Sequence, residues 1–353
     1  MSAATFAERM LQLKNDAFTS LGVSVGLRLG LFEVLGDMGR PVTPRELATR
    51  ANCKEKYIQQ WLGQMACSDI IKISTEHADG EERYYVPEDR LPSLCVDTGG
   101  ASAVWLYGLP VFANVQHQLE ECFRADGPQG IPYEPYKELI QVRSKLFAGR
   151  FWPNLMKQLA DNIPSLTSKL ETGASILEIG CGSGDFMKTF ARKFTKSQFF
   201  GIDSCSEAIK YASETAANDK ISNVAFAEKD GQNLPSDWSG MYDYVITVKV
   251  IHDATDPKKM LSEIKRVLKP DGLASIIDLP MRSKVSENLH SPITNTVYTA
   301  GLFHCIPSSM FYGGPGLGPC WGVENMEELL ATAGFKVKTI LNEQIAHYVC
   351  TDK

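Results

Sequence analysis

One segment constrains the fold of this chain more than any other. Residues 176–184 read ILEIGCGSG, an apolar run that enters a glycine-rich turn, and a helix-like run begins at Asp185. Glycine lacks a Cβ atom, so a turn that contains Gly180, Gly182 and Gly184 lets a ligand approach the backbone closely. A strand, a glycine-rich turn and a helix in this order indicate the cofactor-binding end of a parallel α/β sheet.

The charges around this turn distinguish between a dinucleotide and S-adenosylmethionine. The dinucleotide fingerprint G-x-G-x-x-G needs its third glycine at the position of Asp185, and Glu178 and Asp185 would place negative charge beside an anionic pyrophosphate. S-adenosylmethionine carries a sulfonium and an ammonium group, which suit an acidic strand end, while its carboxylate can meet amides near the helix start. The charges favour S-adenosylmethionine, held by Glu178, Gly180, Gly182 and Gly184.

Two further acidic residues follow the next two predicted strands. Asp203 comes about 20 residues after the glycines, the usual distance for a carboxylate that accepts both ribose hydroxyls. Asp230 and Gly231 follow the third strand, where Asp230 is placed to bond the adenine amino group. Because ligands of such sheets lie at the carboxyl ends of the strands, these positions predict one cofactor site.

From Ser175 onward, apolar strand-like runs alternate with helical runs. Such a series predicts an α/β domain with a Rossmann-like, doubly wound parallel sheet. The predicted strands are 175–179, 198–202, 224–227, 244–248 and 274–278, with helices that include 185–193, 206–218 and 257–268 between them. After a helix over 326–333, the runs 335–340 and 346–350 predict a terminal hairpin added to that sheet.

The first hundred residues predict a helical domain of another type. Thr43 followed by Pro44 marks a helix start, because Thr is a favoured cap residue and Pro suits the first helical position. The run 54–67 spaces its apolar residues as one face of a helix, and strand-like runs follow at 70–73 and 83–86. Helices followed by a two-stranded wing predict a winged-helix module.

The loop between the two wing strands bears on whether this module binds DNA. Wings and recognition helices that bind DNA present Lys and Arg to phosphate. This loop carries Glu76, Asp79, Glu81 and Glu82, and it has no Lys or Arg before Arg83. The charges favour an oligomerisation or packing role over DNA binding.

The predicted organisation has three parts. Residues 1–99 form the winged-helix and dimerisation domain, and residues 171–353 form the S-adenosylmethionine-binding domain. Residues 100–170 are helical and rich in aromatic residues, and we expect them to link the two domains and to contribute to a pocket for a second ligand.

Composition limits the partners and the compartment. The formal net charge of −6 provides no basic field for nucleic acid or an anionic membrane surface. Nine cysteines without C-x-x-C spacing fit a reducing compartment better than a disulfide framework. The N-terminus lacks the pattern of a secretory signal, and no window approaches about 18 uninterrupted apolar residues. We therefore expect a cytoplasmic protein with neither nucleic-acid nor membrane partners.

Residues 175–280 resemble a class I S-adenosylmethionine-dependent methyltransferase. The resemblance rests on the E-x-G-x-G-x-G turn at 178–184, on Asp203 as the ribose acid, and on the Lys-Pro-Asp-Gly turn at 269–272. With the winged-helix module, the whole chain resembles the small-molecule methyltransferases that pair these two domains. The resemblance implies methyl transfer to a thiol, hydroxyl or amine, and an N-terminal module that makes homodimer contacts and part of the acceptor pocket.

His252 and Asp278 are the candidate catalytic residues. His252 follows the fourth predicted strand, so it should lie at the sheet edge near the sulfonium, and its unperturbed pKa near 6.5 suits proton transfer. In the plant-type O-methyltransferases that the segment resembles, a similar His-Asp segment supplies the general base, and Asp278 matches an acid beside the reacting centre. A third family residue, a Glu, matches poorly, because Val323 takes its position and Glu324 is one residue away.

Several alternatives remain open in the sequence. Because the methyl donor is already activated, alignment of the nucleophile alone can supply much of the acceleration, and a thiol needs little help from a base. Gly313–Gly318 is either a lid, with Phe311, Tyr312 and Trp321 as its apolar wall, or an ordinary surface loop. His304 and Cys305 have no companion ligands at zinc spacing, so no metal site is expected.

The rival functions come from other classes. A winged-helix regulator would bind S-adenosylmethionine as a signal without turnover, and a basic recognition surface would favour it. A protein or nucleic-acid methyltransferase is the second rival; positive charge around the pocket mouth would support a nucleic-acid substrate, and the acidic balance of the chain counts against it.

Overall fold

The computed structural model describes residues 5–75, 77–96, 101–148 and 151–352. It divides into two compact units, the first comprising Met1–Ala113 and Gln141–Phe151 and the second Asn114–Ile140 and Trp152–Lys353. The predicted boundary between residues 99 and 100 lies outside the described residues. The predicted central part, 100–170, is divided between the two units.

The first unit is helical with a small hairpin. Its elements are α1 (Phe6–Arg28), α2 (Leu31–Met38), α3 (Pro44–Arg50), α4 (Glu55–Cys67), β1 (Lys72–Ser74), β2 (Arg83–Tyr85), α5 (Leu91–Leu94), α6 (Ala101–Tyr107) and α7 (Leu109–Asn114). As predicted, α3 begins with Pro44 after Thr43, whose side chain accepts a hydrogen bond from the amide of Glu46 in a capping box. In its core, the rings of Phe32 and Trp61 lie 5.2 Å apart.

The wing predicted after these helices is present. β1 and β2 pair antiparallel, and Val42 adds a bridge to Tyr84. Asp79, in the loop between the strands, pairs with Arg83. Glu76, named above among the acidic residues of this loop, lies outside the described residues.

The second unit contains the large sheet. Its helices are α8 (Gln116–Cys122), α10 (Phe151–Asn162), α11 (Pro164–Thr172), α12 (Asp185–Lys193), α13 (Ser206–Asn218), α14 (Pro257–Val267), α15 (Val285–Asn288), α16 (Thr294–Ala300), α17 (Ile306–Phe311) and α18 (Val323–Thr332), while α9 (Glu138–Ala148) crosses the boundary between the units. Its strands are β3 (Ser175–Ile179), β4 (Gln198–Asp203), β5 (Val224–Glu228), β6 (Tyr242–Val248), β7 (Leu268–Asp278), β8 (Phe335–Leu341) and β9 (Ala346–Asp352).

The seven strands follow the order β5-β4-β3-β6-β7-β9-β8. The first five are parallel, and β9 pairs antiparallel with both β7 and β8, so the predicted doubly wound sheet and its terminal hairpin are confirmed. The order reverses between β3 and β6, which makes this pair the switch point where such sheets bind ligands.

The predicted Lys-Pro-Asp-Gly turn lies within the bounds of β7. The pairing of β7 with β6 shifts from Tyr242–Leu268 to Tyr244–Leu273, so residues 269–272 form an irregularity in the ladder. The backbone turns there, because a Cβ atom on Gly272 would lie 3.0 Å from the carbonyl oxygen of Lys269. Pro and Gly occur both in turns and in such irregularities of a strand.

The core of the second unit lies on the sheet. Fully buried side chains of the strands, such as Leu177, Val245 and Ile276, pack with Leu261 and Ile264 of α14. Within the described ranges, no single helix is both long and apolar enough to cross a membrane; α1 and α2 meet those criteria only as a pair bent by 69°.

Candidate active site

The glycine-rich turn lies between β3 and α12. Gly180, Gly182 and Gly184 all have positive φ, at 74°, 52° and 70°. The amides of Gly180 and Cys181 both donate to the carbonyl of Ile202 on β4, at 2.8 and 2.9 Å, which fixes the turn to the neighbouring strand. A Cβ atom on Gly182 would meet nothing within 4 Å, so this backbone faces open space. The turn is thus shaped for close approach of a ligand.

Glu178 lies beneath this turn in a very acidic setting. Its side chain is buried, and its Oε2 has no hydrogen-bond partner among the described residues. Burial raises the pKa of Glu178, and the charges of Asp185 and Asp203 raise it further. The nearby cation Lys188 pairs with Asp185 at 2.9 Å. A ligand that brings positive charge would relieve this repulsion.

Asp203 stands at the end of β4 beside the turn. One carboxylate oxygen accepts from the Gly182 amide and the other from the Cys205 amide, each at 2.9 Å. Each carboxylate oxygen has two lone pairs, so these bonds leave acceptor capacity for hydroxyl donors. The structure brings Asp203 and the glycine turn together, as the sequence predicts.

Asp230 and Gly231 follow β5, further along the same edge. The Asp230 carboxylate is exposed and accepts from the Gln232 amide at 2.8 Å and from the Asn233 side chain, so it shapes the local turn. Gly231 is buried, and a Cβ atom there would lie 2.4 Å from Ile179. The glycine turn, Asp203 and Asp230 therefore lie after three adjacent parallel strands.

His252 and Asp278 form a buried pair across the switch point from the glycine turn. His252 lies in a 3₁₀ turn (Ile251–Asp253) after β6, and Asp278 ends the adjacent β7. Nδ1 of His252 is 2.8 Å from both carboxylate oxygens of Asp278, and the two residues are 3% and 5% exposed. In the neutral ring, Nδ1–H therefore donates to the carboxylate, and the lone pair is on Nε2.

The backbone between β6 and this pair has an unusual conformation. Lys249 has φ of 59°, a left-handed value that is uncommon for a residue other than glycine, and its amide donates to the carbonyl of Ile277 at 2.7 Å. Sequence reasoning missed this residue, and nothing in its type signals the conformation. The turn carries His252 back toward the end of β7.

Opposing effects act on the pKa of His252. Burial lowers the pKa of this imidazole, but the charges of Asp278 and Asp253 and the hydrogen bonds of the ring with Asp278 and Cys305 together raise it well above its ordinary value. Asp253 Oδ1 lies 3.4 Å from Nε2. Asp253 and Cys305 were not predicted as site residues; the position of Asp253 next to His252 was the only signal in the sequence.

The glutamate that the resemblance to plant-type O-methyltransferases implies is matched poorly here, by Val323 and the neighbouring Glu324. Glu324 accepts from the Ser283 amide at 3.1 Å and pairs with Arg282 at 2.6 Å near the surface. Val323 is buried, and its amide donates to the carbonyl of Met281. These contacts of Val323 and Glu324 are therefore with the segment 281–283 and not with His252 or Asp278.

Aromatic residues of the segment before α9 pack beside this region. The Tyr136 ring meets the His304 ring edge-on at 4.7 Å, and Tyr133 lies 5.9 Å from the same ring. Tyr136 also donates its hydroxyl to the carbonyl of Phe303 at 2.7 Å. These contacts fix the π-helical turn Gly301–Cys305, and π-helical turns are frequent at functional sites.

The glycine segment Gly313–Gly318 lies against the chain after β6. The Gly318 amide donates to the carbonyl of His252 at 3.2 Å, and a Cβ atom on Gly314 would lie 2.8 Å from Cα of Thr255. Trp321 lines a small cavity together with His252 and Asp278. Of the three aromatic residues predicted to form a wall, Phe311 and Tyr312 meet edge to face and are about half exposed.

Comparison with known proteins identifies the two domains of this chain. A family model described as a methyltransferase domain matches residues 170–343, and one described as an Rv2258c-like winged HTH domain matches residues 17–95. The chain is an S-adenosylmethionine-dependent methyltransferase with an N-terminal winged HTH domain. Over 206 residues it is 29% identical to the phthiotriol/phenolphthiotriol dimycocerosates methyltransferase of Mycobacterium leprae, a match that covers 56% of this methyltransferase and 69% of that protein.

Solved structures share the whole architecture of this methyltransferase. Human N-acetylserotonin methyltransferase in complex with S-adenosylmethionine aligns with a TM-score of 0.66 at 18% identity over 100% of both chains. An O-methyltransferase family protein from Burkholderia thailandensis aligns with a TM-score of 0.70 at 13% identity over 99% of both. The predicted class of enzyme and its cofactor, S-adenosylmethionine, are confirmed, and the buried, unpartnered Glu178 oxygen fits that cationic cofactor.

Proposed function

We propose that this enzyme methylates a small-molecule nucleophile, with His252 as the base that accepts the nucleophile's proton or orients the acceptor. The observation that carries the proposal is the buried His252–Asp278 pair, which lies across the sheet's switch point from the glycine turn. This arrangement places a proton acceptor at the edge where the cofactor binds. Thiol, hydroxyl and amine acceptors all fit it.

The residues at the strand ends hold the cofactor. Glu178 offers negative charge to the cationic end of the cofactor, and the backbone of Gly180, Gly182 and Gly184 lets it approach closely. Asp203 accepts hydrogen bonds from the ribose hydroxyls, and Asp230, next to Gly231, accepts from the adenine amino group. The buried position of Glu178 and the open face of Gly182 support these assignments.

Asp203→Asn tests the ribose assignment with little change in side-chain size. Loss of a charged acceptor should cost about 1.5–3 kcal/mol, or about 10- to 150-fold in cofactor affinity. Calorimetric titration with S-adenosylmethionine measures this change. Asp219→Asn, which removes a carboxylate paired with Arg192 on the surface, is the control and should bind normally. Unchanged affinity in Asp203→Asn would remove this residue from the ribose role.

Asp278 orients His252 to act as the proton acceptor. The carboxylate accepts Nδ1–H, which fixes the ring and stabilises the imidazolium that forms when Nε2 takes a proton. Bound S-adenosylmethionine supplies an activated methyl group. The chain's part is to align the nucleophile with that group and to receive its proton at Nε2, in a region that burial shields from water.

The acceptor site is proposed beside this pair. Trp321 lines the cavity next to His252, and Tyr133 and Tyr136 pack against the neighbouring π-helical turn. Aromatic side chains with a few polar groups favour a small, partly apolar acceptor. Gly313–Gly318 is proposed to cover it as a lid.

A product assay tests the proposed function. The enzyme is incubated with labelled S-adenosylmethionine and panels of small thiols, phenols, amines and carboxylates, and both methylated product and S-adenosylhomocysteine are measured. Turnover with a thiol, phenol or amine supports the proposal and shows how much proton transfer His252 must supply. Tight cofactor binding without turnover on any panel would contradict it and would favour the sensing role of a regulator.

We propose a homodimer formed through α1. Phe6, Met10, Leu13 and Leu21 recur at helical spacing, and each is at least 46% exposed. Apolar residues in such a row on one long helix are typical of an interface. The winged-helix unit then has an assembly role, and the acidic residues of its wing loop oppose a nucleic-acid partner.

The dimer can be tested by charge insertion. Wild-type protein should be a dimer in light scattering at micromolar concentration. Leu13→Glu combined with Leu21→Glu should give a monomer, because the new charges would be buried without partners. Leu289→Glu, which changes an exposed leucine of the other unit, should remain a dimer. A wild-type protein that is entirely monomeric under these conditions would refute the proposal.

A cytoplasmic location is also proposed. Among the described residues, none of the nine cysteines forms a disulfide. Reduced cysteines are usual where glutathione and thioredoxin keep thiols reduced. The proposal includes no membrane partner.

A further inference from the structure

Three side chains that can bind a metal meet beside the candidate base. A ring nitrogen of His252, a carboxylate oxygen of Asp253 and Sγ of Cys305 all lie within 4.8 Å of one another. His252 and Asp253 belong to the 3₁₀ turn after β6, whereas Cys305 ends the π-helical turn Gly301–Cys305. The sequence offered no companion ligands for Cys305, because these two come from a distant segment.

We propose that these three residues form a binding site for a zinc-class divalent ion. Zinc takes imidazole nitrogen, thiolate sulfur and carboxylate oxygen at about 2.0–2.3 Å, and sites with three protein ligands keep a fourth position open. The separation of 3.4 Å between Nε2 of His252 and Oδ1 of Asp253 suits two ligands of one tetrahedral ion. A small movement of the Cys305 side chain toward these two atoms would make its sulfur the third ligand.

The hydrogen bond between Asp278 and His252 favours metal binding at the other ring nitrogen, Nε2. Asp278 accepts Nδ1–H at 2.8 Å, so the lone pair of the neutral ring is on Nε2, which lies 3.4 Å from Oδ1 of Asp253. A carboxylate that holds the far nitrogen of a ligating histidine is a regular feature of zinc sites. Asp278 is therefore a positioning residue in this proposal.

Asp253 supplies an independent observation. Its Oδ1 is buried and has no hydrogen-bond partner among the described residues, although it lies beside Nε2 of His252. A buried carboxylate oxygen without a donor is costly, and a bound cation would compensate that cost. The Asp253 side chain is 27% exposed, so an ion can reach the site from this side.

The ligand set selects the kind of ion. A thiolate and an imidazole favour zinc and similar borderline ions, whereas magnesium and calcium require mostly oxygen ligands. His252 and Cys305 are only 3% and 5% exposed, so water competes little with the protein ligands. The site is thus predicted to discriminate against the abundant hard cations.

A bound ion has a direct consequence for catalysis, and this step rests on the proposed function. Nε2 has one lone pair, which cannot both ligate a metal and accept a proton from the methyl acceptor. Metal binding releases the thiol proton of Cys305 and the Nε2 proton of protonated His252 to solvent, and it consumes no other reactant. Zinc should therefore inhibit methyl transfer without weakening the binding of S-adenosylmethionine.

Cobalt spectroscopy tests the site without any measurement of activity. Full-length protein, stripped with a chelator, is titrated with cobalt chloride, and the thiolate-to-cobalt charge-transfer band is followed in the near ultraviolet. We expect one ion per chain, displaced by zinc. Cys305→Ser should lose the band, and Cys122→Ser, which changes a cysteine outside the cluster, should keep it. Asp278→Asn should weaken cobalt binding by about 10- to 100-fold.

The outcomes of the cobalt experiment test the metal site separately from the proposed role of His252 as the base. Absence of the band in wild-type protein, or an equal band in Cys305→Ser, would overturn the metal site. Calorimetry with S-adenosylmethionine on the same samples shows that each variant is folded. A band that depends on Cys305 establishes the site even if His252 proves not to be the base, in which case zinc would bind without inhibiting turnover.

Discussion

Replacing His252 by asparagine is expected to lower the rate of methyl transfer by about 10²- to 10⁴-fold, the usual contribution of a positioned general base. Nε2 is the proton acceptor in the proposed mechanism, and an amide cannot replace it. The affinity for S-adenosylmethionine should change little, because His252 lies after β6 and the glycine turn after β3. Single-turnover rates and calorimetry measure the two quantities separately.

The pH dependence gives a second readout of the same prediction. The carboxylates of Asp278 and Asp253 and the hydrogen bond of the ring with Cys305 outweigh burial and raise the pKa of His252. Only neutral imidazole accepts a proton, so the wild-type rate should rise as the pH increases through this raised pKa. His252→Asn should lack this rise, and His290→Asn, which changes an exposed histidine, should keep it. A fully active His252→Asn enzyme would refute the base assignment.

Replacing Gly180 by alanine is expected to abolish measurable cofactor binding and to destabilise the fold. Gly180 has φ of 74°, and an added Cβ atom would lie 2.4 Å from the side chain of Val250. The left-handed backbone costs an alanine about 1–2 kcal/mol, and overpacking costs about 1–3 kcal/mol more. The turn must shift to relieve the contact, which breaks its two bonds to the carbonyl of Ile202.

Gly240 provides a matched control for this substitution. It has φ of 66°, but a Cβ atom there would meet nothing within 4 Å. Gly240→Ala should therefore lose only the backbone cost of about 1–2 kcal/mol in the free energy of unfolding and should bind S-adenosylmethionine normally. Denaturant unfolding and calorimetric titration compare the two variants. Equal stability and equal affinity in both would show that the turn tolerates a side chain at Gly180.

Much of the fold could be predicted because its signals are local. β3 (Ser175–Ile179), α12 (Asp185–Lys193) and α13 (Ser206–Asn218) have the predicted bounds. An apolar run bounded by turn residues or a helical apolar period is set by residues near one another in sequence. The Lys-Pro-Asp-Gly turn at 269–272 was predicted from its residue types, but its position within the bounds of β7 was not.

The site residues that could be predicted are those that directly follow strands of the parallel sheet. Parallel strands bring their carboxyl ends to one edge, so Asp203, Asp230 and His252 were expected there from position alone. Lys249 and Cys305 were not expected. The left-handed backbone of Lys249 depends on a bond to Ile277 of the next strand, and Cys305 comes to His252 only through the packing of a π-helical turn.

The sequence by itself determined the winged-helix and α/β elements, the glycine turn and the acidic character of the cofactor end. These follow from periodicity, from the absence of a Cβ atom and from charge, which act over short separations. Only the tertiary structure decided that Nδ1 of His252 meets Asp278, that Nε2 lies beside Asp253, and that Cys305 joins this group. Those contacts depend on the order of the strands in the sheet and on how the segment around Cys305 packs against it. Both are determined by packing between residues that are distant in sequence, because the fold that forms is the one that buries the apolar core as a whole.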